Sequence, residues 1–272
     1  MKTIIHATDY SKNAITALKY AYALSTKIGA NLWVIHIFDL SMLSADIKET
    51  YLLSRDEHIK QKNTKLKEFC TLHLGNEMKH KDIQIEAIEN TSVVSGIISK
   101  ADELFASLIV TGIKGESAVK EFLIGSTTKK LIKKAPCPIL AIPENAVLNE
   151  INTIVYPTDF EDEDISAIFR LTEIAKTFDA TIKIVHISPK NDTEGQQEME
   201  WFKEILKETV KYEKLEFALL FSNKIYPLLK LYIDEVEADL IAMLEREKKG
   251  LLKKVFHKDL VKKWKPLATY HY

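Results

Sequence analysis

The sequence predicts two tandem α/β domains, each built around a parallel β-sheet, and two observations support this prediction. First, short runs rich in Ile and Val alternate with longer segments of helical periodicity, and the runs are apolar almost throughout, as in strands covered on both faces. Second, residues 4–10 (IIHATDY) resemble residues 154–160 (IVYPTDF), and residues 33–37 (WVIHI) resemble residues 183–187 (KIVHI) at the same offset. Two matches in one register indicate an internal duplication.

The two copies differ in length, and a polar segment separates them. A third match, residues 106–110 against 238–242, has a smaller offset, so the second copy has lost residues after its second strand. The proline-marked segment 143–145 predicts a boundary between domains 1–145 and 146–272. We expect strands near residues 2–7, 31–38, 82–88, 107–112 and 138–142, and again near 151–157, 181–187, 214–221, 238–244 and 266–271.

Composition narrows the class of protein. The 272 residues include 38 Lys+Arg and 39 Asp+Glu, which argues against a dedicated nucleic-acid binder. The two cysteines lie far apart, so neither a disulfide scaffold nor a thiolate zinc site is expected. The apolar run at the N-terminus is too short for a signal peptide, and no stretch reaches the length of a membrane span. We therefore expect a cytoplasmic protein without a membrane span.

Local signals predict where the first helix of each copy begins. Ser11 is the expected N-cap of the first helix, and Gly29 is its expected end. The acidic run 161–164 falls at the start of the matching helix in copy two, where negative charge complements the helix dipole. This structural role accounts for the run without any catalytic function.

The few glycines are concentrated in one region. The chain has only 8 glycines, yet Gly112, Gly115 and Gly125 fall close together, the first at the end of the predicted fourth strand. A glycine at the end of a strand lets backbone amides approach a phosphate, and Gly125-Ser126 before a helix adds a hydroxyl to the positive end of its dipole. In a doubly wound sheet the ligand crevice opens beside such strand ends, and Asp9 ends the first strand. The pattern favours a phosphate site over separate turns and caps.

Other catalytic motifs are absent from the sequence. It contains no G-x-x-x-x-G-K-[ST], no G-x-G-x-x-G and no His-x-Gly-His. It also contains no G-x-S-x-G and no H-E-x-x-H, so neither a serine nucleophile nor a zincin site is expected.

With these residues in place, the chain resembles the universal stress protein family in its tandem two-domain form. Gly112-x-x-Gly115, nine intervening residues and Gly125-Ser126-Thr127 match the family's ATP-binding pattern G-x2-G-x9-G-[ST]. Thr8-Asp9, His36-Ile37 and residues 138–140 match the family in the expected order. The resemblance covers essentially the whole chain. It implies a Rossmann-like, adenine nucleotide alpha hydrolase-like fold with strand order 3-2-1-4-5.

The resemblance also implies roles for individual residues. Asp9 and the backbone of Ile37 are expected on the adenine and ribose side. The phosphates, with Mg²⁺, are expected at Gly112, Gly115, Gly125, Ser126 and Thr127, with Thr111 and Thr128 as neighbours. Ala7 is a departure, since many members have proline at this position, as copy two does at Pro157; the change is expected to loosen the adenine wall.

Copy two departs further from the family pattern. Aligning residues 108–109 with 240–241 puts the segment 243–247 (MLERE) at the first two glycines and the segment 256–259 (FHKD) near the third. Bulky side chains block a close approach of the backbone, and glutamates repel phosphate oxygens. We therefore predict one ATP site per chain, in the N-terminal half. Asp159 is expected to be a remnant that caps the following helix.

Several other features have structural explanations. The lysine-rich segment 246–265 is predicted to be an amphipathic helix with a solvated basic face, although a membrane surface or an acidic partner remains an alternative. His36 and His186 are expected to be hydrogen-bonded core residues rather than metal ligands. Trp201 and Phe202 are expected on the buried face of a short helix, and Cys137 is expected to be a small buried residue without a redox role.

Three functional hypotheses follow. The leading one is a regulatory ATP-binding module, not an enzyme, whose two halves resemble a pseudo-dimer and whose chains pair into a homodimer as the family implies. The second is slow ATP hydrolysis or phosphorylation of Ser126 or Thr127, for which Lys114 is the nearby cation and no base is evident. The third is a nucleotide-independent scaffold that uses copy two to bind a protein partner or a lipid. The sequence does not identify the partner.

Overall fold

A computed structural model describes residues 2–41, 55–79, 83–114, 124–147, 150–189, 194–245 and 267–271. The described residues form two compact units, and the chain passes from the first to the second between Ala146 and Val147. Gly115 and the whole of the predicted basic helix at 246–265 lie outside the described residues.

The first unit is a parallel sheet flanked by helices. Its strands are β1 (Thr3–Ala7), β2 (Asn31–Phe38), β3 (Ile83–Glu89), β4 (Leu108–Ile113) and β5 (Ile139–Pro143). Its helices are α1 (Lys12–Ile28), α2 (Arg55–Leu74), α3 (Val93–Glu103) and α4 (Ser126–Lys134), with a short 3-10 helix at Gly75–Lys79. The strand order β3-β2-β1-β4-β5 and the parallel pairing confirm the predicted 3-2-1-4-5 fold.

The second unit repeats this winding. Its strands are β6 (Thr153–Pro157), β7 (Thr181–Ser188), β8 (Leu215–Phe221), β9 (Leu240–Glu245) and β10 (Leu267–His271), in the order β8-β7-β6-β9-β10. Its described helices are α5 (Asp162–Phe178), α6 (Gly195–Thr209) and α7 (Ile225–Glu235). In both units the central strands are almost fully buried while the edge strands β3 and β8 are half-buried, which explains why the central runs are uniformly apolar.

Backbone geometry shows the duplication in detail. Tyr10 and Phe160, at matching positions after β1 and β6, both have left-handed backbone angles, with φ of 65° and 60°. Each is held by a hydrogen bond from its own N–H to the hydroxyl oxygen of Thr8 or Thr158, at 3.0 and 2.9 Å. Non-glycine residues rarely adopt this conformation, so its recurrence with the same stabilising contact reflects a shared local structure.

Two helix boundaries fit the sequence and two expectations need correction. α1 has Ser11 at its N-cap and ends at Gly29, whose φ of 69° suits a glycine. Asp159 does not cap α5; Glu161 does, in a capping box with Asp164. Trp201 is 48% exposed, whereas Phe202 is buried on the same face as Met199 and Leu206. Placing two adjacent helical residues on one face was the error, because neighbours in a helix point about 100° apart.

No helix among the described residues combines the length and the hydropathy needed to cross a bilayer.

Candidate functional site: a cavity at the carboxyl ends of three strands

A cavity of about 200 Å³ lies in the first unit where β1, β2 and β4 end. The sequence-predicted site residues that line it are Ala7, Asp9, Ile37, Thr111, Gly112, Thr127 and Thr128. It is also lined by Thr8, Asn13, Ala14, His36, Val93 and Ile97. Predicted residues from widely separated segments thus lie together at the carboxyl ends of these strands, where open α/β folds bind ligands.

One part of this cavity is apolar. Ile37 at the end of β2 and Val93 and Ile97 in the first turns of α3 contribute aliphatic side chains. α3 comes close to the sheet because it carries Gly96, where an added Cβ would lie 3.0 Å from two side-chain carbons of Ile37. The tight contact between α3 and β2 gives the cavity a firm aliphatic wall, suited to the flat face of an aromatic base.

The polar part of the cavity lies against helix N-termini. Asn13 and Ala14 in the first turn of α1, and Thr127 and Thr128 in the first turn of α4, line it. The first turns of α1, α3 and α4 contain no acidic residue. α1 and α4 also have no side-chain cap hydrogen bond, so the positive ends of their dipoles are not neutralised by a residue of their own first turn and suit an anion.

Gly112 has a structural role that its sequence position did not show. A Cβ at this position would lie 2.5 Å from the backbone carbon and oxygen of Asn13 and 2.8 Å from the nitrogen of Ala14. No side chain fits there unless the first turn of α1 moves. Gly112 therefore brings the N-terminus of α1 onto the end of β4, and in this way it shapes the cavity.

The loop after β1 is fixed by hydrogen bonds. The Oδ1 atom of Asp9 accepts a hydrogen bond from the N–H of Ser11 at 3.0 Å and another from the Ser11 hydroxyl. Ser11 therefore stands at the N-cap of α1, but its hydroxyl orients Asp9 instead of capping the helix. This arrangement holds the exposed Asp9 carboxylate at the rim of the cavity.

A hydrogen bond fixes which ring nitrogen of His36 carries a proton. Its Nδ1 lies 2.9 Å from the carbonyl oxygen of Thr8, and since a carbonyl only accepts, Nδ1 carries the proton. Burial lowers the pKa of His36, and the positive charges of Lys62 and Lys65 act in the same direction. His186 repeats the contact with Thr158 at 2.7 Å, which confirms that both histidines are hydrogen-bonded within the fold.

Thr111 is the unusual polar group in the cavity. It is only 6% exposed, and its Oγ1 atom has no hydrogen-bond partner among the residues that the structure describes. Buried hydroxyls are normally paired. An unpaired one that lines a cavity indicates a position where a ligand or water supplies the partner.

The remaining predicted residues are placed differently. Gly125 is the N-cap of α4, and an added Cβ there would meet nothing within 4 Å. Neither Gly125 nor Ser126 is among the residues found to line the cavity, although both directly precede Thr127. Gly125 therefore stands beside open space at the N-terminus of α4.

The matching region of the second unit contains bulky side chains. By alignment of β9 with β4, Met243 replaces Thr111 and Leu244 replaces Gly112, and these side chains are 1% and 6% exposed. A buried carboxylate also occupies the start of α5. Asp164, 1% exposed, accepts hydrogen bonds from the hydroxyls of Tyr156 at 2.7 Å and Thr158 at 2.8 Å, and from the N–H groups of Asp159 and Glu161. The protein's own groups therefore satisfy this turn.

Several lining residues were absent from the sequence-based site. Asn13, Ala14, Val93 and Ile97 belong to the first turns of helices that follow strands. The general rule that ligands bind at the carboxyl ends of parallel strands would have indicated these turns.

The described residues do not indicate a metal centre built from clustered protein ligands or a nucleophilic thiol. No group of three or more His, Cys, Asp or Glu side chains that could hold a metal ion occurs there. Cys70 and Cys137 are both buried free thiols, and burial raises the pKa of each to about 12. A thiol with so high a pKa is a poor nucleophile at neutral pH.

Comparison with known proteins decides the family. The family model described as "Universal stress protein family" matches residues 1–143, more than half of the chain. The chain belongs to this family. The "Universal stress protein MJ0577" of Methanocaldococcus jannaschii is 26% identical over 156 residues, covering 52% of this chain and 94% of that protein.

Solved universal stress proteins extend the comparison to the fold of the whole chain. A crystal structure from Archaeoglobus fulgidus DSM 4304 covers 99% of this chain and 98% of its own, with a TM-score of 0.74 and 18% identity. Another Archaeoglobus fulgidus universal stress protein, solved in complex with dAMP, covers 45% of this chain and 99% of its own, with 21% identity and a TM-score of 0.36.

Proposed function

We propose that this universal stress protein binds ATP with Mg²⁺ in the cavity of its N-terminal half and acts as a regulatory nucleotide-binding module. The observation that carries this proposal is the division of the cavity. One part is aliphatic, at Ile37, Val93 and Ile97, and the other lies at the N-termini of α1 and α4. A nucleotide has the matching division between a flat base and an anionic phosphate chain.

The residues fit Mg²⁺ as a companion of the nucleotide. Mg²⁺ prefers oxygen ligands and commonly keeps waters while binding substrate phosphates, so it needs few protein ligands. Among the residues that line the cavity, Thr127, Thr128 and Asp9 carry side-chain oxygen atoms. Bound Mg²⁺ would supply positive charge to the phosphates, which supports binding without a separate metal site.

The second half supports the proposal of a single site. Met243 and Leu244 fill the positions of Thr111 and Gly112, and Asp164 presents a carboxylate near the start of α5. A phosphate would meet bulk and negative charge there. We propose one ATP per chain.

We also propose that the protein is not an efficient enzyme and at most hydrolyses ATP slowly. Phosphoryl transfer needs a group that orients the nucleophile and cations that stabilise the charge. The lining carboxylate, Asp9, is exposed and bound to Ser11, while His36 stands beside Ile37 in the apolar part. Lys114 follows β4 as the nearby cation. In the same way we keep cytoplasmic location as a proposal, with which two buried free thiols agree.

Isothermal calorimetry of Mg-ATP with nucleotide-stripped full-length protein tests these statements. We expect one site per chain, strongly weakened in Asp9→Ala and unchanged in the matched control Asp159→Ala of the second half. Two sites would overturn the single-site assignment, and no binding would overturn the function and favour the nucleotide-independent scaffold. Single-turnover assays with labelled ATP test hydrolysis; rapid turnover that Gly125→Val or Asp9→Ala abolishes would show an enzyme.

A further inference from the structure

The unpaired hydroxyl of Thr111 requires an explanation that the fold does not provide. Thr111 is 6% exposed and lines the cavity, and its Oγ1 lacks a partner among the described residues. A valine has almost the same shape and would avoid the cost of a buried, unpaired hydroxyl. The strand does not need a polar residue either, since Ile109 and Ile113 are the residues two positions away on the same face of β4.

The second unit shows that the strand position accepts an apolar side chain. Met243 stands at the matching place in β9 and is 1% exposed. The matching position of the second unit is therefore filled by a buried apolar side chain. A hydroxyl thus occupies this strand position where it lines the cavity of the first unit, and an apolar side chain occupies the matching position of the second unit.

The strand register identifies the neighbours of Thr111 at the end of β4. β1 pairs with β4 with His6 opposite Val110, so Ala7 stands beside Thr111. Gly112 follows directly, under the N-terminus of α1. The neighbours of Thr111 are thus Ala7, in the direction of β2 and the apolar part that fits a base, and Gly112, which adjoins a helix N-terminus that fits phosphates. In a nucleotide, the sugar joins these two groups.

We infer that the Thr111 hydroxyl hydrogen-bonds a ribose hydroxyl of the bound nucleotide, so that the site discriminates against the deoxy analogue that lacks this hydroxyl. The inference rests on the proposed nucleotide-binding function and adds a specificity to it. A site that hydrogen-bonds a ligand hydroxyl rejects the analogue that lacks it, because a buried polar group is left unpaired. Thr111 then pairs with the ligand and stays unpaired without it.

A cycle of variants and nucleotide analogues tests this inference. Calorimetry would compare ATP, 2′-deoxy-ATP and 3′-deoxy-ATP on the full-length protein, Thr111→Val and Thr111→Ser. We expect Thr111→Val to weaken ATP binding about tenfold and one deoxy analogue less than about twofold, which assigns the contacted hydroxyl. Thr111→Ser keeps the hydroxyl and should bind ATP within about threefold of the parent protein.

Thermal unfolding without nucleotide supplies the control for structural damage. Thr111→Val should melt at the same temperature as the parent or a few degrees higher, because it removes an unpaired buried hydroxyl. Equal ATP affinity in the parent and Thr111→Val overturns the inference alone, and so does an equal loss for all three nucleotides. Absence of ATP binding in the parent protein overturns the proposed function itself.

Discussion

The same β-strand-to-helix turn occurs in both halves of the molecule with opposite electrostatics. In the first half residues 11–14 read SKNA and the first turn of α1 has no acidic residue. In the second half residues 161–164 read EDED, and Glu161 and Asp164 form a capping box. The first turn of α1 leaves its positive end without a carboxylate, while α5 satisfies its own with carboxylates. One copy of a duplicated fold can thus fill internally the charge position that the proposed phosphate would occupy in the other.

The strand next to this turn also differs between the two halves. Gly112 lets the backbone of α1 approach β4, whereas Leu244 places a buried side chain at the matching point of β9. Bulk and charge therefore act together in the second half. The contrast suggests variants that exchange features between the halves.

The largest expected effect comes from adding a methyl group at Gly112. Gly112→Ala puts a Cβ 2.5 Å from the backbone of Asn13, so α1 must shift. We expect it to lower the free energy of unfolding by about 3 kcal/mol or more and to abolish nucleotide binding. Chemical denaturation monitored by circular dichroism measures the first effect.

Gly125→Ala is the matched control, since an added Cβ there meets nothing within 4 Å. Its cost should stay below about 1 kcal/mol, the usual difference between Gly and Ala at an N-cap. Equal destabilisation by the two substitutions would contradict the steric role assigned to Gly112.

This pair of glycines also shows how far sequence carries the interpretation. The motif spacing predicted that Gly112 and Gly125 belong to one site, the apolar runs predicted the α/β units, and the resemblance to the family implied the strand order. The sequence did not show that Gly112 is required by packing, because the neighbour that excludes a Cβ, Asn13, is distant in sequence. Contacts between distant segments leave no local periodicity that a sequence pattern could reveal.

The sequence also predicted the role of the acidic run 161–164 only in part. The acidic run 161–164 was correctly assigned to a helix start, yet Asp164 turned out to be a buried acceptor of Tyr156 and Thr158 hydroxyls. The sequence offered four adjacent carboxylates and no means to tell which one faces inward. That distinction depends on the helix phase and on the residues opposite it.

The second prediction concerns acid sensitivity of the first half. His6 is fully buried in β1, where burial lowers its pKa from 6.5 to about 4, and its Nε2 has no partner among the described residues. Because the unfolded chain binds this proton more readily, stability is complete above pH 6.5 and falls as the pH drops towards 4. The full loss from this group is about 3 kcal/mol.

Tyr156 occupies the matching position in the second half and donates its hydroxyl to Asp164. We therefore expect the acid sensitivity that comes from His6 to affect the first half only. His6→Gln keeps a donor for the Val110 carbonyl, and it should flatten the pH dependence of the free energy of unfolding between pH 6.5 and 4. Urea unfolding across this range measures it. An unchanged pH dependence in His6→Gln would assign the acid sensitivity to other groups.

The smallest expected effect exchanges one charge between the halves. Asn13 lines the cavity in the first turn of α1, and its counterpart in α5 is Glu163. Asn13→Glu should weaken Mg-ATP binding about tenfold at low ionic strength, and by less in high salt, because the added carboxylate repels phosphate. At the same time it should stabilise the helix by about 0.3–1 kcal/mol, since a negative charge suits a helix N-terminus.

The control variant Asn13→Gln changes the size of the side chain without adding a charge. If it weakens binding as much as Asn13→Glu, the shape of the turn, rather than its charge, separates the two halves; if it binds normally, the acidic turn of α5 by itself disfavours phosphate.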